Sequence, residues 1–286
     1  MKPKIICEIG CNHKGDIKIA KKMIEVAKEF CNVDVIKFQK RCNLELLSKE
    51  EYNTPHPVPH NSYGSTYGEH REFLEFNLNQ HLELKKFCEK KKVEYSSSVW
   101  DITSAKEISS LKPKMIKIPS AVNNNTKLLE WIYENYNGEI HISLGMTIKK
   151  EEDNIIRIAR ETKKIGKTIL YHCVSGYPVE VKELYLLEIT NLLNKYGEEL
   201  KGVGFSGHHT GIAADISAIT LGAKYIERHF TLDRTWKGTD HAASLEPDGL
   251  RRVIRDIKNV NEALKFKTKE ILSVEEFQRK KLKYSS

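Results

Sequence analysis

Short β-branched and apolar runs alternate with amphipathic stretches about eight times along the chain. The runs fall near 4–10 (KIICEIG), 33–39 (VDVIKFQ), 94–99 (EYSSSV), 115–120 (MIKIPS), 140–145 (IHISLG), 168–174 (TILYHCV), 201–206 (KGVGFS) and 225–230 (YIERHF). Near-continuous apolar character is that of parallel strands buried on both faces. Between the runs the apolar spacing turns helical. Ile17, Ala20, Ile24 and Ala27 share one face of the stretch to Phe30, and Phe73, Phe76, Leu84 and Phe87 mark a helix from Glu69 to Lys91. Further helices are expected near 102–111, 126–136, 149–165, 181–197, 211–222 and 247–266. Asp16 and Asp101 read as N-caps, Gly138 and Gly166 as helix stops.

Eight strands, each followed by a helix, predict an α/β fold: a (β/α)₈ TIM barrel forming a single domain over 1–266, with a basic tail over 267–286. A doubly wound sheet is the alternative, but no GxGxxG follows the first run. The connection over 41–68 is too long for a turn. It carries Pro55, Pro57, Pro59, His56, His60, Tyr63 and Tyr67, and a segment of this kind is either a lid over a site or an ordered surface insertion.

A barrel collects its chemistry at the C-terminal ends of its strands. There the chain delivers Glu8, Lys37, Ser98, Lys117, Ser120, Ser143, Ser175, Ser206, His208, Arg228 and His229. His208 and His229 are 21 residues apart, about one βα unit, and suit a shared divalent metal. His209 is the weaker partner, because neighbours on an extended strand point oppositely. Lys37 and Lys117 lie inside apolar runs and must be paired or functional. With the serine hydroxyls they suit a phosphate and a carboxylate. A Schiff-base lysine is the rival chemistry, and ion pairing to Glu8 or Glu227 the structural reading. Glu8 reads as an acid/base or as a partner of Lys37. Asp240, on a loop beyond the eighth run, suits a sugar hydroxyl.

Composition narrows the picture. The 286 residues are 40% hydrophobic and 30% charged, with a net charge of +8. The stretch from Lys265 onward holds seven Lys/Arg and three Glu, so +4 of that charge is in the tail. No basic stripe with interleaved aromatics argues for nucleic acid, and a mildly positive body suits a small anionic substrate. No apolar run reaches the length of a membrane span, and the N-terminus is too short and acidic for a signal peptide. The six cysteines, at 7, 11, 31, 42, 88 and 173, form no CxxC pair. A reduced, cytoplasmic protein without membrane or nucleic-acid partners is expected.

The segments Glu8-Ile9-Gly10-Cys11-Asn12-His13-Lys14-Gly15-Asp16, Val35-Ile36-Lys37-Phe38-Gln39, Lys117-Ile118-Pro119-Ser120, Ser143-Leu144-Gly145-Met146, His172-Cys173-Val174-Ser175-Gly176-Tyr177-Pro178, Phe205-Ser206-Gly207-His208 and Glu227-Arg228-His229-Phe230 closely resemble the sialic acid synthase family. That family includes the legionaminate and pseudaminate synthases. The resemblance runs from about residue 4 to 266. It implies condensation of phosphoenolpyruvate with an N-acetylated aldose such as N-acetylmannosamine, releasing phosphate and forming a nine-carbon 2-keto acid.

Carried over, His208 and His229 would bind Mn²⁺ (or Mg²⁺, Co²⁺ or Zn²⁺), which would polarise the sugar aldehyde. Lys37, Lys117, Ser98, Ser120, Ser143 and Ser206 would hold phosphate and carboxylate. Glu8 would be the acid/base. Tyr177 and Asp240 would contact the sugar, with Ser175 and Arg228 counted among the substrate contacts. Ala121 and Val122 stand where many members have Gly and an acidic residue, and Ser175 where many have Asn. Many members continue into an antifreeze-like domain that covers the partner's site in a homodimer; this sequence ends at Ser286, about where that linker would begin, so either 41–68 serves as the lid or the sequence is truncated. A Schiff-base aldolase and a non-catalytic sugar-binding barrel are the competing readings.

Overall fold

A computed structural model describes residues 2–284. Eight parallel strands close into one barrel in sequence order: β1 (Lys4–Gly10), β2 (Val35–Lys40), β3 (Glu94–Val99), β4 (Met115–Ile118), β5 (Glu139–Ser143), β6 (Thr168–Cys173), β7 (Gly202–Gly207) and β8 (Tyr225–His229). The expected TIM barrel is the observed fold. Alternation along each strand divides the apolar residues into two cores. A small one inside the barrel contains Ile6, Val35, Met115, Ile169, Tyr171 and Tyr225. The large one lies between barrel and helices and includes Ile36, Ile116, Leu170 and Val203. The inner core fills only the lower barrel, so the inward positions above it are free for polar residues.

Register then fixes neighbours. Glu8 pairs with Lys37 on one side and His229 on the other, and Ser206 pairs with Glu227. The β1–β2 ladder slips one residue between Glu8 and Gly10. Gly10 has φ +55, and a Cβ there would meet Gln39 Nε2 at 3.0 Å and Glu8 Oε1 at 3.3 Å. The bulge thus needs glycine at the end of the strand that carries Glu8.

Asp16 and Asp101 cap their helices as expected, accepting from Lys18 and Ile19 and from Ser104. Four local expectations are corrected. The helix expected over Glu69–Lys91 is two, Tyr67–Leu74 and Leu78–Lys90, because Asn77 and Gln80 form a capping box that starts a second helix. Phe73 is consequently no core residue; it is 52% exposed and stacks on Tyr63 at 5.0 Å. Gly166 does not stop its helix, which ends at Glu161 with Lys163 in the left-handed region. Gly138 lies past the end of Thr126–Asn135 and makes room for Tyr136, whose hydroxyl would be 2.1 Å from a Cβ.

The connection after β2 folds into short helices, Asn43–Leu46 and Lys49–Asn53, and is tied to the loop after β8, where Tyr63 donates to the Lys237 carbonyl at 2.5 Å. After Pro247–Ala263 the chain continues to an exposed helix, Ser273–Leu282. No helix among the described residues is long and apolar enough to cross a membrane. All six cysteines are free.

Two histidines packed behind β1 and β2 make the fold acid-sensitive. Burial drives the pKa of both His13 and His81 down to about 3. The unfolded chain binds both protons below about pH 6.5 while the native one does not, so stability rises with pH between those limits. Urea midpoints are expected to fall as pH drops from 7 to 5, with a slope approaching about 1.4 kcal/mol per pH unit per histidine. His81→Gln keeps a partner for the Tyr95 hydroxyl (2.7 Å from Nδ1) and should flatten the slope by about one proton; an unchanged slope would refute the assignment.

Candidate active site

The upper end of the barrel opens into a cavity of about 340 Å³. Lys37 and Lys117 rise into it from β2 and β4, each all but sealed from solvent. Neither is alone. Lys37 Nζ lies 2.5 Å from Glu8 Oε2, 3.6 Å from Glu227 Oε1 and 2.6 Å from the Ser98 hydroxyl. Lys117 donates to Glu227 Oε2 at 2.9 Å, and its ammonium sits 3.7 Å above the Tyr171 ring. Ser206 donates to Glu227 Oε1 at 3.2 Å. Two cations and two anions therefore alternate on the floor, and their charges cancel.

Burial raises the Glu8 carboxyl above its ordinary range, with Lys37 opposing and Glu227 adding to the shift. At Glu227 burial acts the same way but Lys117 and Lys37 outweigh it, holding that carboxyl ionised well below its ordinary range. Lys37 loses basicity to burial and regains more from Glu227 and Glu8, so it stays an ammonium. Lys117, whose burial outweighs its single close carboxylate, is lowered. The two carboxylates are thus pushed apart, Glu8 upward and Glu227 downward.

Above this floor stand the two histidines. Their rings are 5.5 Å apart, and Tyr177 packs over His208 at 4.2 Å. His208 Nδ1 is 3.0 Å from the Val174 carbonyl, so it carries the proton and leaves Nε2 with its lone pair. Burial, then His229, pushes the His208 pKa down to about 4, which keeps the ring neutral. His229 Nδ1 is buried without a hydrogen-bond partner among the described residues, 3.7 Å from Asp240 Oδ2. Two imidazoles with a carboxylate beside them fit a divalent ion. Among the described residues no group of three or more His, Cys, Asp or Glu is already gathered as a metal shell.

Of the residues expected from sequence, Glu8, Lys37, Ser98, Lys117, Ser120, Ser143, Ser175, Tyr177, Ser206, His208, His229 and Asp240 all line this cavity. Arg228 does not, which corrects its place among the substrate contacts. On β8, Tyr225, Glu227 and His229 face inward, so Arg228 points out of the barrel. There it donates to Asp215 Oδ2 at 2.5 Å, to the His209 carbonyl at 2.6 Å and to the Gly211 carbonyl at 3.0 Å. His209 faces the same way, consistent with its weaker claim as a ligand. Sequence reasoning passed over Glu227 as a site residue, although it shares strand parity with His229. Gln39 and Arg41 share parity with Lys37 and also line the cavity, with Cys11, His70 and Trp100.

The sequence profile of the NeuB family matches residues 23–269. The chain belongs to the NeuB family, the sialic acid synthases. It is 37% identical over 273 residues to N-acetylneuraminate-9-phosphate synthase of Homo sapiens, covering 95% of this chain and 74% of that protein. Identity to the N,N'-diacetyllegionaminic acid synthase of Campylobacter jejuni is 31% over 264 residues, covering 92% and 78%. Among solved structures, the N-acetylneuraminic acid synthetase of Leptospira borgpetersenii serovar Hardjo-bovis, in complex with citrate, superposes with a TM-score of 0.83 at 27% identity and covers 100% of this NeuB-family chain and 94% of the other.

Proposed function

We propose that the chain condenses phosphoenolpyruvate with the open-chain aldehyde of an N-acylated amino sugar, yielding phosphate and a nonulosonic acid. The observation that carries this reading is the buried Glu8–Lys37–Glu227–Lys117 floor beneath the His208–His229 pair. An enolpyruvate phosphate brings two anionic groups. Lys37, Lys117 and the hydroxyls of Ser98, Ser120, Ser143 and Ser206 are the donors available to them. A divalent ion on His208 and His229, Mn²⁺ by the family resemblance, supplies when bound the Lewis acidity that polarises the aldehyde.

C3 of the enolpyruvate attacks the aldehyde carbon. Glu8, whose carboxyl burial raises, is the acid/base that relays a proton to the aldehyde oxygen and takes up the one released by the water that adds at C2. Water then adds at the cationic C2, and the tetrahedral adduct expels phosphate. Glu227 stays ionised throughout, holding both lysines and balancing the positive charge that develops at C2. Tyr177 and Asp240 line the same cavity and are the residues this reading assigns to the sugar. The Schiff-base alternative requires a neutral amine; Lys37 is held charged by Glu227 and Glu8, and Lys117, though lowered by burial, donates to the Glu227 carboxylate at 2.9 Å.

The deciding experiment follows phosphate release with phosphoenolpyruvate, Mn²⁺ and a panel of acetamido and diacetamido hexoses. Release should require all three components and disappear on prolonged chelation, returning when Mn²⁺ is restored. Full activity of enzyme verified to be metal-free would remove the metal from the reading. Trapping of a pyruvate adduct by borohydride would replace the mechanism with the Schiff-base one.

Gly145 tests the serine cradle separately. A Cβ at this position would lie 2.2 Å from the Ser175 hydroxyl and 2.7 Å from that of Ser120, which also accepts the Gly145 amide at 3.0 Å. Gly145→Ala must displace both hydroxyls. One to two lost hydrogen bonds, about 1.5 kcal/mol, correspond to a rise of about tenfold in KM for phosphoenolpyruvate. An unchanged KM would exclude these two serines from the substrate contacts.

A further inference from the structure

Beside the Lys117 ammonium lies an aromatic ring in place of a second carboxylate. Lys37 is surrounded by Glu8, Glu227 and Ser98, whereas Lys117 has Glu227 as its one hydrogen-bond acceptor among the described residues. Its other close neighbour is Tyr171, whose ring centroid is 3.7 Å from Nζ. Tyr171 belongs to the inner core of the lower barrel and is fully buried. The face of a phenol ring is the negative side of its quadrupole, so it attracts an ammonium without carrying a net charge. Under an anionic ligand this difference counts. A carboxylate in that place would hold the ammonium and cancel it; the ring holds it and leaves its charge to the ligand.

A hydrogen-bonded chain inside the barrel fixes the ring from below. Tyr171 Oη is 2.7 Å from His141 Nδ1, and His141 Nε2 is 3.3 Å from Glu139 Oε2. Glu139 Oε1 is in turn 2.9 Å from Lys201 Nζ. Burial opposes the charge on Glu139, but His141 and Lys201 outweigh it and hold its pKa at about 2. That carboxylate only accepts, so His141 Nε2 donates to it. Burial brings the His141 pKa down to about 4, so the imidazole is neutral and its Nδ1 accepts. The Tyr171 hydroxyl therefore donates. A phenol that donates gains phenolate character, and its ring face becomes more negative.

Space for the ring is reserved as well. Gly204 is the partner of Tyr171 across the β6–β7 ladder, and a Cβ there would lie 2.5 Å from Tyr171 Cε1. His141 packs edge-on against Tyr225, with ring centroids 5.2 Å apart. Neither Tyr171 nor His141 lines the cavity, so each acts on a ligand only through Lys117.

We propose that Tyr171, oriented by His141, is a positioning residue whose ring face supports the Lys117 ammonium beneath the anionic groups of the enolpyruvate. The identity of that ligand rests on the condensation reading; the support of Lys117 rests on the barrel interior alone. Lys117 is the floor cation whose pKa burial lowers against the pull of Glu227. The titratable groups facing it are Glu227 on β8, Lys37 on β2, Tyr171 and Cys173 on β6 and His141 on β5. Glu227 is held ionised and Lys37 charged, while burial raises the Tyr171 and Cys173 pKa values and keeps both neutral. The basic limb of anion affinity thus reports Lys117. Losing the ring destabilises the ammonium and moves that limb to lower pH.

Calorimetric titration of phosphoenolpyruvate into the full chain with Mn²⁺, without sugar and across the basic limb, tests this. Tyr171→Leu should lower the limb by about 1–1.5 pH units, so that affinity above it falls by about 10- to 30-fold and affinity below it stays within about twofold. Tyr171→Phe keeps the ring and should move the limb by less than about half a unit. Tyr171→Phe with two or three ring fluorines keeps the shape but weakens the quadrupole, which guards against a misfolded leucine variant. The limb should fall stepwise with fluorine number. In turnover, KM for phosphoenolpyruvate should rise in step above the limb while kcat stays within about threefold. A limb that stays in place in Tyr171→Leu and across the fluorine series overturns the proposal. So does an affinity loss equal at every pH, which a merely reshaped cavity would give. A limb that moves as expected, with no phosphate release from any sugar of the panel, overturns the condensation reading and leaves the support of Lys117 standing.

Discussion

Lys117→Met is expected to lower kcat/KM for phosphoenolpyruvate by a factor of about 10³ or more. The wild-type floor is neutral, with Lys37 and Lys117 set against Glu8 and Glu227. Removing one ammonium leaves an excess negative charge beneath the spot where a phosphate and a carboxylate must bind. At about 4 Å and an effective dielectric near 20, each unit pair is worth about 4 kcal/mol, and that energy equals about three decades in rate. The same change breaks a buried ion pair, which costs about 3–5 kcal/mol of stability. Activity must therefore be measured well below the Tm of the variant. The double substitution Lys117→Met with Glu227→Gln separates the two effects. It restores neutrality, because Lys37 and Glu8 remain, and should recover most of the Tm. It cannot restore the lost donor to the anion, so kcat/KM should stay at least about 10²-fold down. Single-variant activity within tenfold of wild type would show that Lys117 only neutralises Glu227.

Much of this site is legible because its elements follow strand parity. Lys37, Lys117, Ser206, His208 and His229 stand on the inward face at the C-terminal ends of apolar runs, and all line the cavity. The rest depends on contacts that local pattern does not encode. Glu227 acquires its role from Lys117, 110 residues away, and from Lys37 across the barrel. His70 reaches the mouth only because the connection after β2 folds back over it, an arrangement set by ties such as Tyr63 to Lys237, 174 residues apart, whereas Arg41 and Trp100 stand directly after β2 and β3. Helix ends divide in the same way. Asp16 and Asp101 cap through their own side chains and can be read locally, whereas Lys163 takes the left-handed position expected of Gly166. The helix break before Leu78 was encoded locally, in Asn77 and Gln80, but the apolar spacing of Phe73 and Phe76 runs through it.

Arg228→Met is expected to lower Tm by about 6–20 °C while leaving KM for both substrates within a few-fold of wild type. Arg228 and Asp215 are both buried, and the guanidinium also holds the carbonyls of His209 and Gly211. Without it, Asp215 keeps only His209 Nε2, at 3.4 Å, among its ion-pair partners. Leaving a buried carboxylate uncompensated costs about 3–5 kcal/mol. For a domain of this size each kcal/mol moves Tm by about 2–4 °C. Pairing the change with Asp215→Leu removes the orphaned charge and should return most of the lost Tm, since apolar replacement of a whole buried pair is often neutral. The carbonyl of His209 adjoins His208, so a modest fall in kcat is compatible with a structural role. A KM increase of tenfold or more in the double variant, at near wild-type Tm, would instead put Arg228 in contact with substrate.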